Sequence, residues 1–149
     1  GFRLPILLFR LHLGWLLGER FLLLTHKGRT SGKLHQTVIE VLQHDRKLNT
    51  YAVLSGWGER SDWIRNIEKT PDVTITVGLH TIQATSERLS SEEAEDALLD
   101  YARRNPVAIR VLPRLMGYQL DGTEADFRAL AHLGVVVAFR PISHIQEKD

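Results

Sequence analysis

The segment Phe21–Val38 reads FLLLTHKGRTSGKLHQTV, and its pattern is the strongest indication of fold in the chain. Apolar and β-branched residues predict a strand on each side of a short basic turn. Gly28 and Gly32 frame the turn, and glycine adopts backbone angles that side chains forbid. The segment therefore predicts two strands joined by a turn that can bend sharply.

The chemistry of this turn suits an anion. Turns framed by glycines can aim several backbone N–H groups at one point, which forms a concavity for phosphate. Arg29 adds a planar fork of donors, Lys33 adds a point charge, and Ser31 adds a hydroxyl. Two interpretations remain open from spacing alone, a phosphate-binding turn and an ordinary solvated hairpin turn.

Composition limits the function further. With 149 residues we expect a single domain, 1–149, that is large enough for its own core. A net charge of +1 implies no broad attraction to nucleic acid, so any anion site must be local. The absence of cysteine excludes disulfides, thiolate metal sites and cysteine nucleophiles. No His-x-x-x-His or comparable ligand pattern occurs, so we expect no metal site.

Residues 1–18 predict an apolar N-terminal helix. Its run is shorter than the roughly 20 apolar residues of a membrane span, and no signal-peptidase site follows it. Because both sides of this helix are apolar, we expect it to cover the core and also to contact a partner subunit or a membrane surface.

The rest of the chain predicts further strands joined mainly by short turns, which favours an antiparallel sheet closed into a small barrel in an α+β fold. Ser61 or Asp62 can cap a helix that runs to about Glu68, and Ser90 with Glu93 predicts a capping box for another. Two more helices are expected at about 107–116 and 123–132. The strands after the first are expected at Leu34–Leu42, Thr50–Ser55, Val73–Val77, Thr81–Arg88 and Val135–Arg140.

Over nearly its whole length the sequence resembles the deazaflavin-dependent nitroreductase family, whose fold is a split β-barrel. The resemblance is carried by Leu23–Lys33, by Ser55-Gly56-Trp57-Gly58, by Asp62–Ile67 with its Trp-x-x-Asn, and by the ending Val136–Pro141. It implies a reductase that binds coenzyme F420, an 8-hydroxy-5-deazaflavin with a phosphate and a polyglutamate tail, or FMN in some relatives. The resemblance also implies where such a cofactor binds. The implied cofactor-binding residues are Gly28, Arg29, Thr30, Ser31, Gly32, Lys33, His35, Gln36, Thr37, Val38, Ser55, Gly56, Trp57, Gly58, Trp63 and Asn66.

The sequence departs from the family pattern in its cations. Many members carry Lys or Arg where this chain has Thr30, and often Arg where it has His35. Fewer cations weaken the grip on a long anionic tail, which leaves FMN open as the cofactor. Trp63 fits a core anchor as well as a cofactor contact, and Asn66 fits an ordinary surface amide.

The reaction implied by the resemblance is transfer of a hydride from a reduced deazaflavin to a quinone, an enone or a nitro compound. The proton can come from solvent or from Tyr51, Tyr101 or Tyr118, so no catalytic residue is assigned. Three alternatives stay open: an FMN-dependent reductase, a carrier of a flavin or lipid without turnover, and a small peripheral membrane or interaction module that uses the N-terminal helix. We expect a cytoplasmic protein, with a homodimer contact or a contact with the inner face of the membrane through the N-terminal helix.

Overall fold

The fold is built from strands whose side chains alternate between two faces. The structure, a computed structural model, describes residues 19–55, 61–105 and 135–142. Within these ranges it contains six strands and two helices. The strands are β1 (Phe21–Lys27), β2 (Leu34–Asp45), β3 (Thr50–Ser55), β4 (Asp72–Val77), β5 (His80–Arg88) and β6 (Val135–Pro141), and the helices are α1 (Asp62–Lys69) and α2 (Ser91–Arg104).

The six strands close into an antiparallel barrel in the order β1-β2-β3-β6-β5-β4, with β4 returning to β1. The register of the first hairpin pairs His26 with His35 and Leu24 with Thr37. Because alternate residues of a strand share a face, Leu22, Leu24 and His26 lie on one face of β1. The hairpin therefore brings both histidines and Thr37 to the same side of the sheet.

The barrel interior forms the larger of two apolar clusters. It takes one face of each strand together with the buried face of α1, and Trp63 packs at its margin. Three of its large side chains, Phe139, Leu22 and Leu24, are completely buried. Burial of each large apolar side chain contributes about 2 kcal/mol, so this cluster is the main source of stability.

Helix α2 covers the outside of the barrel. Its residues Ala94 and Leu98 pack with Leu42 and Val136 in a second apolar cluster. Ser90 accepts a hydrogen bond from the Glu93 backbone N–H, and Glu93 accepts one in return from the Ser90 backbone. This capping box confirms the sequence prediction. It fixes the start of the helix through two residues that are close in the sequence.

The barrel class and the described strands confirm the predicted fold. The prediction that Ser61 or Asp62 caps α1 with its side chain is wrong, because α1 has no side-chain cap hydrogen bond. The Ser61 hydroxyl instead shares a 2.7 Å hydrogen bond with the Ser55 hydroxyl. The predicted helices at 1–18, 107–116 and 123–132 lie outside the described residues. No helix within the described ranges is long and apolar enough to cross a membrane.

Candidate functional site

A cavity opens between the β1–β2 hairpin and helix α1. Its volume is about 760 Å³. We call it the hairpin cavity, and it is lined by His26, Gly28, Arg29, Thr30, Ser31, His35, Gln36, Thr37, Ser61, Asp62, Trp63 and Asn66. The lining is mostly polar in residue type, with Trp63 as its one large apolar side chain.

The turn between β1 and β2 uses half of its six backbone N–H groups internally. Gly28 N–H donates to the Lys33 carbonyl at 2.7 Å, and Gly32 N–H donates to the Gly28 carbonyl at 3.0 Å. Lys33 N–H donates to the Ser31 hydroxyl oxygen at 3.1 Å. The expectation of several convergent N–H groups is therefore wrong for these three.

Two N–H groups of the turn remain available. Those of Thr30 and Ser31 have no acceptor among the residues that the structure describes. Thr30 and Ser31 both line the hairpin cavity. An anion held by this turn would have these two backbone donors available, with Lys33 as an exposed cation in the same turn.

Arg29 ties the turn to helix α1. Its guanidinium pairs with the Asp62 carboxylate at 3.2 Å and donates to the Asn66 side-chain oxygen at 3.0 Å. Its backbone N–H donates to the same oxygen, also at 3.0 Å, and its carbonyl accepts from Lys69 Nζ at 2.8 Å. Arg29 is thus a structural link as well as a candidate anion ligand, and Asp62 offsets part of its charge.

Asn66 is the centre of a buried polar network. Only 3% of it is exposed, so it is not the surface amide that its position in the sequence also allowed. Its side-chain nitrogen is 2.9 Å from His26 Nδ1. His26 Nε2 is in turn 3.2 Å from the Thr37 hydroxyl oxygen. The network therefore runs from the turn, through α1, to a hydroxyl on the cavity wall.

His26 is held in its neutral form. Burial and, to a lesser extent, the nearby His35 lower the pKa of its imidazole to about 4, while Asp62 acts in the opposite direction. The His35 ring stacks on it with centroids 5.8 Å apart. A neutral imidazole has one donor and one acceptor nitrogen, so its hydrogen bonds have a direction.

Gly28 allows His35 to approach the turn. A Cβ atom at this position would stand 2.9 Å from His35 Nε2 and 2.7 Å from Ser31 Oγ, closer than such atoms pack. Gly32 has a different reason, because its φ of +73° lies in the left-handed region that favours glycine. The two glycines are therefore required for different reasons, Gly28 for a close approach and Gly32 for its backbone angle.

The structure brings together nine of the residues expected to bind the cofactor. In the cavity lining are Gly28, Arg29, Thr30, Ser31, His35, Gln36, Thr37, Trp63 and Asn66. Four others, Gly32, Lys33, Val38 and Ser55, are described but do not line the cavity. Gly56, Trp57 and Gly58 lie outside the described residues.

Sequence reasoning missed three lining residues, His26, Ser61 and Asp62. His26 and His35 are cross-strand partners on the hairpin. The sequence already indicated this pairing, because two strands joined by a turn over residues 28–33 place residue 26 opposite residue 35. Within the described ranges, no group of three or more His, Cys, Asp or Glu is arranged to hold a metal ion.

Two of the three tyrosines considered as proton donors are described, and both lie away from the hairpin cavity. Tyr51 and Tyr101 are buried and neither lines the hairpin cavity. Burial and the Glu40 carboxylate, to which its hydroxyl donates, raise the pKa of Tyr101. This makes Tyr101 a poor acid at neutral pH. Tyr118 is outside the described residues.

Known proteins share this barrel at low sequence identity. An F420-H2-dependent reductase, FDR-A, has a TM-score of 0.57 and 19% identity, covering 83% of this chain and 96% of that one. A structure described as a domain-swapped dimer has a TM-score of 0.56 and 18% identity, covering 91% of this chain and 99% of that one. HutZ, a heme storage protein from Vibrio cholerae, has a TM-score of 0.58 and 15% identity, covering 87% and 86%. At these identities the likeness shows the fold alone.

The sequence itself carries the assignment to a family. Among curated proteins, none matches the chain. Residues 12–112 match the model of the F420H(2)-dependent quinone reductase family, and this span is more than half of the chain. The match includes both strands of the hairpin and the whole of α1. The chain therefore belongs to the F420H(2)-dependent quinone reductase family.

Proposed function

We propose that this chain is an F420H2-dependent reductase that binds its cofactor in the hairpin cavity and reduces a quinone. The observation that carries the proposal is that every residue lining the cavity falls within the family match over 12–112. The family supports a reductase in general, whereas the binding site and the acceptor are part of the proposal. An enone or a nitro compound is an alternative acceptor of the same chemical kind, since each takes a hydride and a proton.

The residues of the cavity fit such a cofactor. Its volume of about 760 Å³ is within the range of roughly 300–1,000 Å³ that is usual for small-molecule sites. The two available N–H groups of Thr30 and Ser31 suit a phosphate oxygen, and Lys33 adds charge beside them. Trp63 offers an apolar wall for a flat ring. The bound deazaflavin would supply the hydride.

The chain's own task is then to bind, orient and shield. The basic turn would hold the anionic part, while Thr37 and Trp63 would fix the ring against the barrel wall. Holding a donor and an acceptor within roughly 3–3.5 Å supplies much of a rate enhancement of this kind. No lining residue has to donate the proton, because the cavity is open to solvent on one side.

Turnover with purified components tests the proposal. Protein, reduced F420 and a water-soluble quinone are mixed, and the visible absorption of the oxidised deazaflavin is followed against a mixture without protein. We expect the protein to accelerate oxidation, and Lys33→Ala to weaken F420 binding about two- to fivefold. Lys47→Ala, an exposed lysine in the turn after β2, serves as the matched control.

Other outcomes separate the alternatives. Tight binding of F420 without acceleration would identify a carrier rather than an enzyme. Binding and turnover with FMN, but none with F420, would identify an FMN-dependent reductase. Equal F420 binding by the parent and Lys33→Ala would remove Lys33 from the cofactor site.

The assembly and the location belong to the same proposal. We propose one domain over residues 1–149 and a homodimer that uses the apolar segment 1–18. The described fold is shared with a domain-swapped dimer, which supports dimerisation. Light scattering on the full chain tests the dimer, and liposome flotation tests the alternative contact with a membrane surface. A monomer that ignores liposomes would contradict both contacts.

A further inference from the structure

We infer that the Thr37 hydroxyl donates a hydrogen bond to an acceptor atom of the bound ligand, and that Asn66 and His26 fix this direction. The inference rests on the proposed function for the identity of the ligand. The direction itself follows from the protein alone. At each hydrogen bond of the buried network, the chemistry of one partner determines which atom supplies the proton.

The first step fixes the amide of Asn66. Its Oδ1 receives the Arg29 backbone N–H and the Arg29 guanidinium N–H, each at 3.0 Å. Both are obligatory donors, so only an oxygen satisfies them. The opposite amide orientation would set an NH2 group against two N–H groups. The two Arg29 donors therefore determine that Nδ2 faces His26.

The second step fixes the tautomer of His26. Asn66 Nδ2 is a donor and lies 2.9 Å from His26 Nδ1, so Nδ1 must accept. The proton of the neutral ring then resides on Nε2. The lowered pKa of His26, at about 4, agrees with an imidazole that carries a single proton at neutral pH.

The third step gives the direction at Thr37. His26 Nε2–H donates to the Thr37 oxygen at 3.2 Å, so that oxygen acts as an acceptor within the protein. The hydroxyl proton of Thr37 then has no acceptor among the residues that the structure describes. Thr37 is half-buried and lines the hairpin cavity, so this proton is left for whatever occupies the cavity.

The chemistry selects the ligand atom. A hydroxyl whose oxygen already accepts a hydrogen bond favours a ligand carbonyl oxygen or unprotonated ring nitrogen, to which it can donate. It disfavours a ligand N–H or O–H group at the same place. Both a flavin-type ring and a quinone present carbonyl oxygens. In this role His26 is a positioning residue, since it sets the direction of the Thr37 hydroxyl.

Binding and kinetics with two variants test the donor. Thr37→Val removes the hydroxyl at nearly constant shape, and Thr37→Ser keeps it. We expect Thr37→Val to lower either the F420 affinity or the apparent quinone affinity, measured as KM, about three- to tenfold. Thr37→Ser should stay close to the parent. Thr85→Val, a half-buried threonine on β5 outside the cavity lining, is the matched control.

The arms of this experiment distinguish the two carbonyl sources. A loss in F420 titrations without quinone assigns the acceptor atom to the cofactor. A loss confined to the KM for quinone assigns it to the substrate. Unchanged values in both measurements for a folded Thr37→Val protein would overturn the inference.

A measurement on the ligand-free protein tests the network independently of the cofactor. Long-range ¹⁵N–¹H correlation spectra of the imidazoles identify which nitrogen of His26 carries the proton. We expect the Nε2–H tautomer at pH 7 and at pH 6. The Nδ1–H tautomer, or a doubly protonated ring at pH 6, would overturn the inference. Failure of the parent to bind F420 would overturn the proposed function, while these spectra would still decide the network.

Discussion

Two polar clusters contact strand β2, and they differ in whether their hydrogen bonds close within the protein. The first, which we call the cavity network, contains Arg29, Asn66, His26 and Thr37. Its bonds run in one direction, from the Arg29 donors to the Thr37 oxygen. The network therefore ends on a half-buried hydroxyl whose proton points to no acceptor in the described part of the chain.

The second cluster lies between β2 and α2, and we call it the helix cluster. Tyr101 donates to the Glu40 carboxylate, and Arg104 donates to the Leu42 carbonyl. Arg104 also pairs with Asp100 at 2.9 Å, and Asp100 accepts from Gln43 at 3.4 Å. Each donor named here reaches an acceptor inside the cluster.

The difference separates a structural network from a binding one. The named donors of the helix cluster are satisfied within it, so these hydrogen bonds stabilise the packing of α2 against β2. The cavity network instead leaves one hydroxyl proton without an acceptor in the described part of the chain, and this hydroxyl lies on the wall of the hairpin cavity. The predictions below test whether only the cavity network affects ligand binding.

The largest effect is expected from Asn66→Leu. This change leaves the Arg29 backbone N–H and His26 Nδ1 without partners and takes one acceptor from the partly buried guanidinium, and each orphaned group costs about 1–3 kcal/mol. We expect a loss of about 2–4 kcal/mol in the free energy of unfolding, measured by urea denaturation, together with weak F420 binding. Gln43→Leu, which removes an exposed amide from the helix cluster, should cost less than about 0.5 kcal/mol. Similar losses for both variants would break the comparison.

The second effect is a dependence of stability on pH through His26. Its folded pKa, about 4, is below the ordinary value of 6.5, so between these pH values the unfolded chain binds the extra proton. Stability from this group is complete above pH 6.5 and falls as the pH drops towards 4. The loss is at most about 3 kcal/mol. Urea denaturation at several pH values should show a steeper loss for the parent than for His26→Gln, and parallel curves would contradict the neutral histidine.

The third effect concerns the helix cluster. Tyr101→Phe removes the donor to Glu40 and leaves that carboxylate with fewer partners under α2. We expect a loss of about 1–3 kcal/mol in the free energy of unfolding and no change in the affinity for F420. Thermal unfolding and isothermal titration measure the two quantities. A clear loss of F420 affinity in a fully folded variant would show that the helix cluster also serves the ligand.

The smallest effect is expected at Asp62. Its carboxylate holds the Arg29 guanidinium at 3.2 Å, yet Asp62 is largely exposed. Asp62→Asn should free charge on Arg29 for an anion and raise F420 affinity about two- to fivefold at low salt. Titration at two salt concentrations checks this, with Asp72→Asn, an exposed acid at the start of β4, as the control. A lower affinity after Asp62→Asn would show that the ion pair positions the turn for binding.

Much of the fold could be predicted because its signals are local. Alternation of apolar residues gave the strands near their observed bounds, and the Ser90–Glu93 pattern predicted the observed capping box. Helix α2 stops at Arg104, and the sequence continues with Asn105-Pro106, where the residue before proline disfavours the helical conformation. The prediction that a side chain caps α1 was wrong, because the Ser61 hydroxyl found a partner on β3.

The candidate site could be predicted only in part. The basic turn and the Trp-x-x-Asn helix were recognised from their residues, and the structure places Trp63 and Asn66 beside the turn. The use of the turn's N–H groups could not be read from glycine spacing, since three of them bond within the turn. Their availability depends on the actual backbone path rather than on residue type.

By itself the sequence determined the barrel class, the hairpin with its basic turn, and membership of a reductase family through residues 12–112. Only the tertiary structure decided which tautomer His26 adopts, which partner Arg29 takes and where Thr37 directs its proton. The reason is that the partners in these hydrogen bonds are far apart in the sequence. Asn66 meets Arg29 across 37 residues and His26 across 40, and closure of the barrel brings them together. The periodicity of a sequence indicates on which face of a strand or helix a side chain lies. The direction of a hydrogen bond depends on all the polar groups that folding brings into contact.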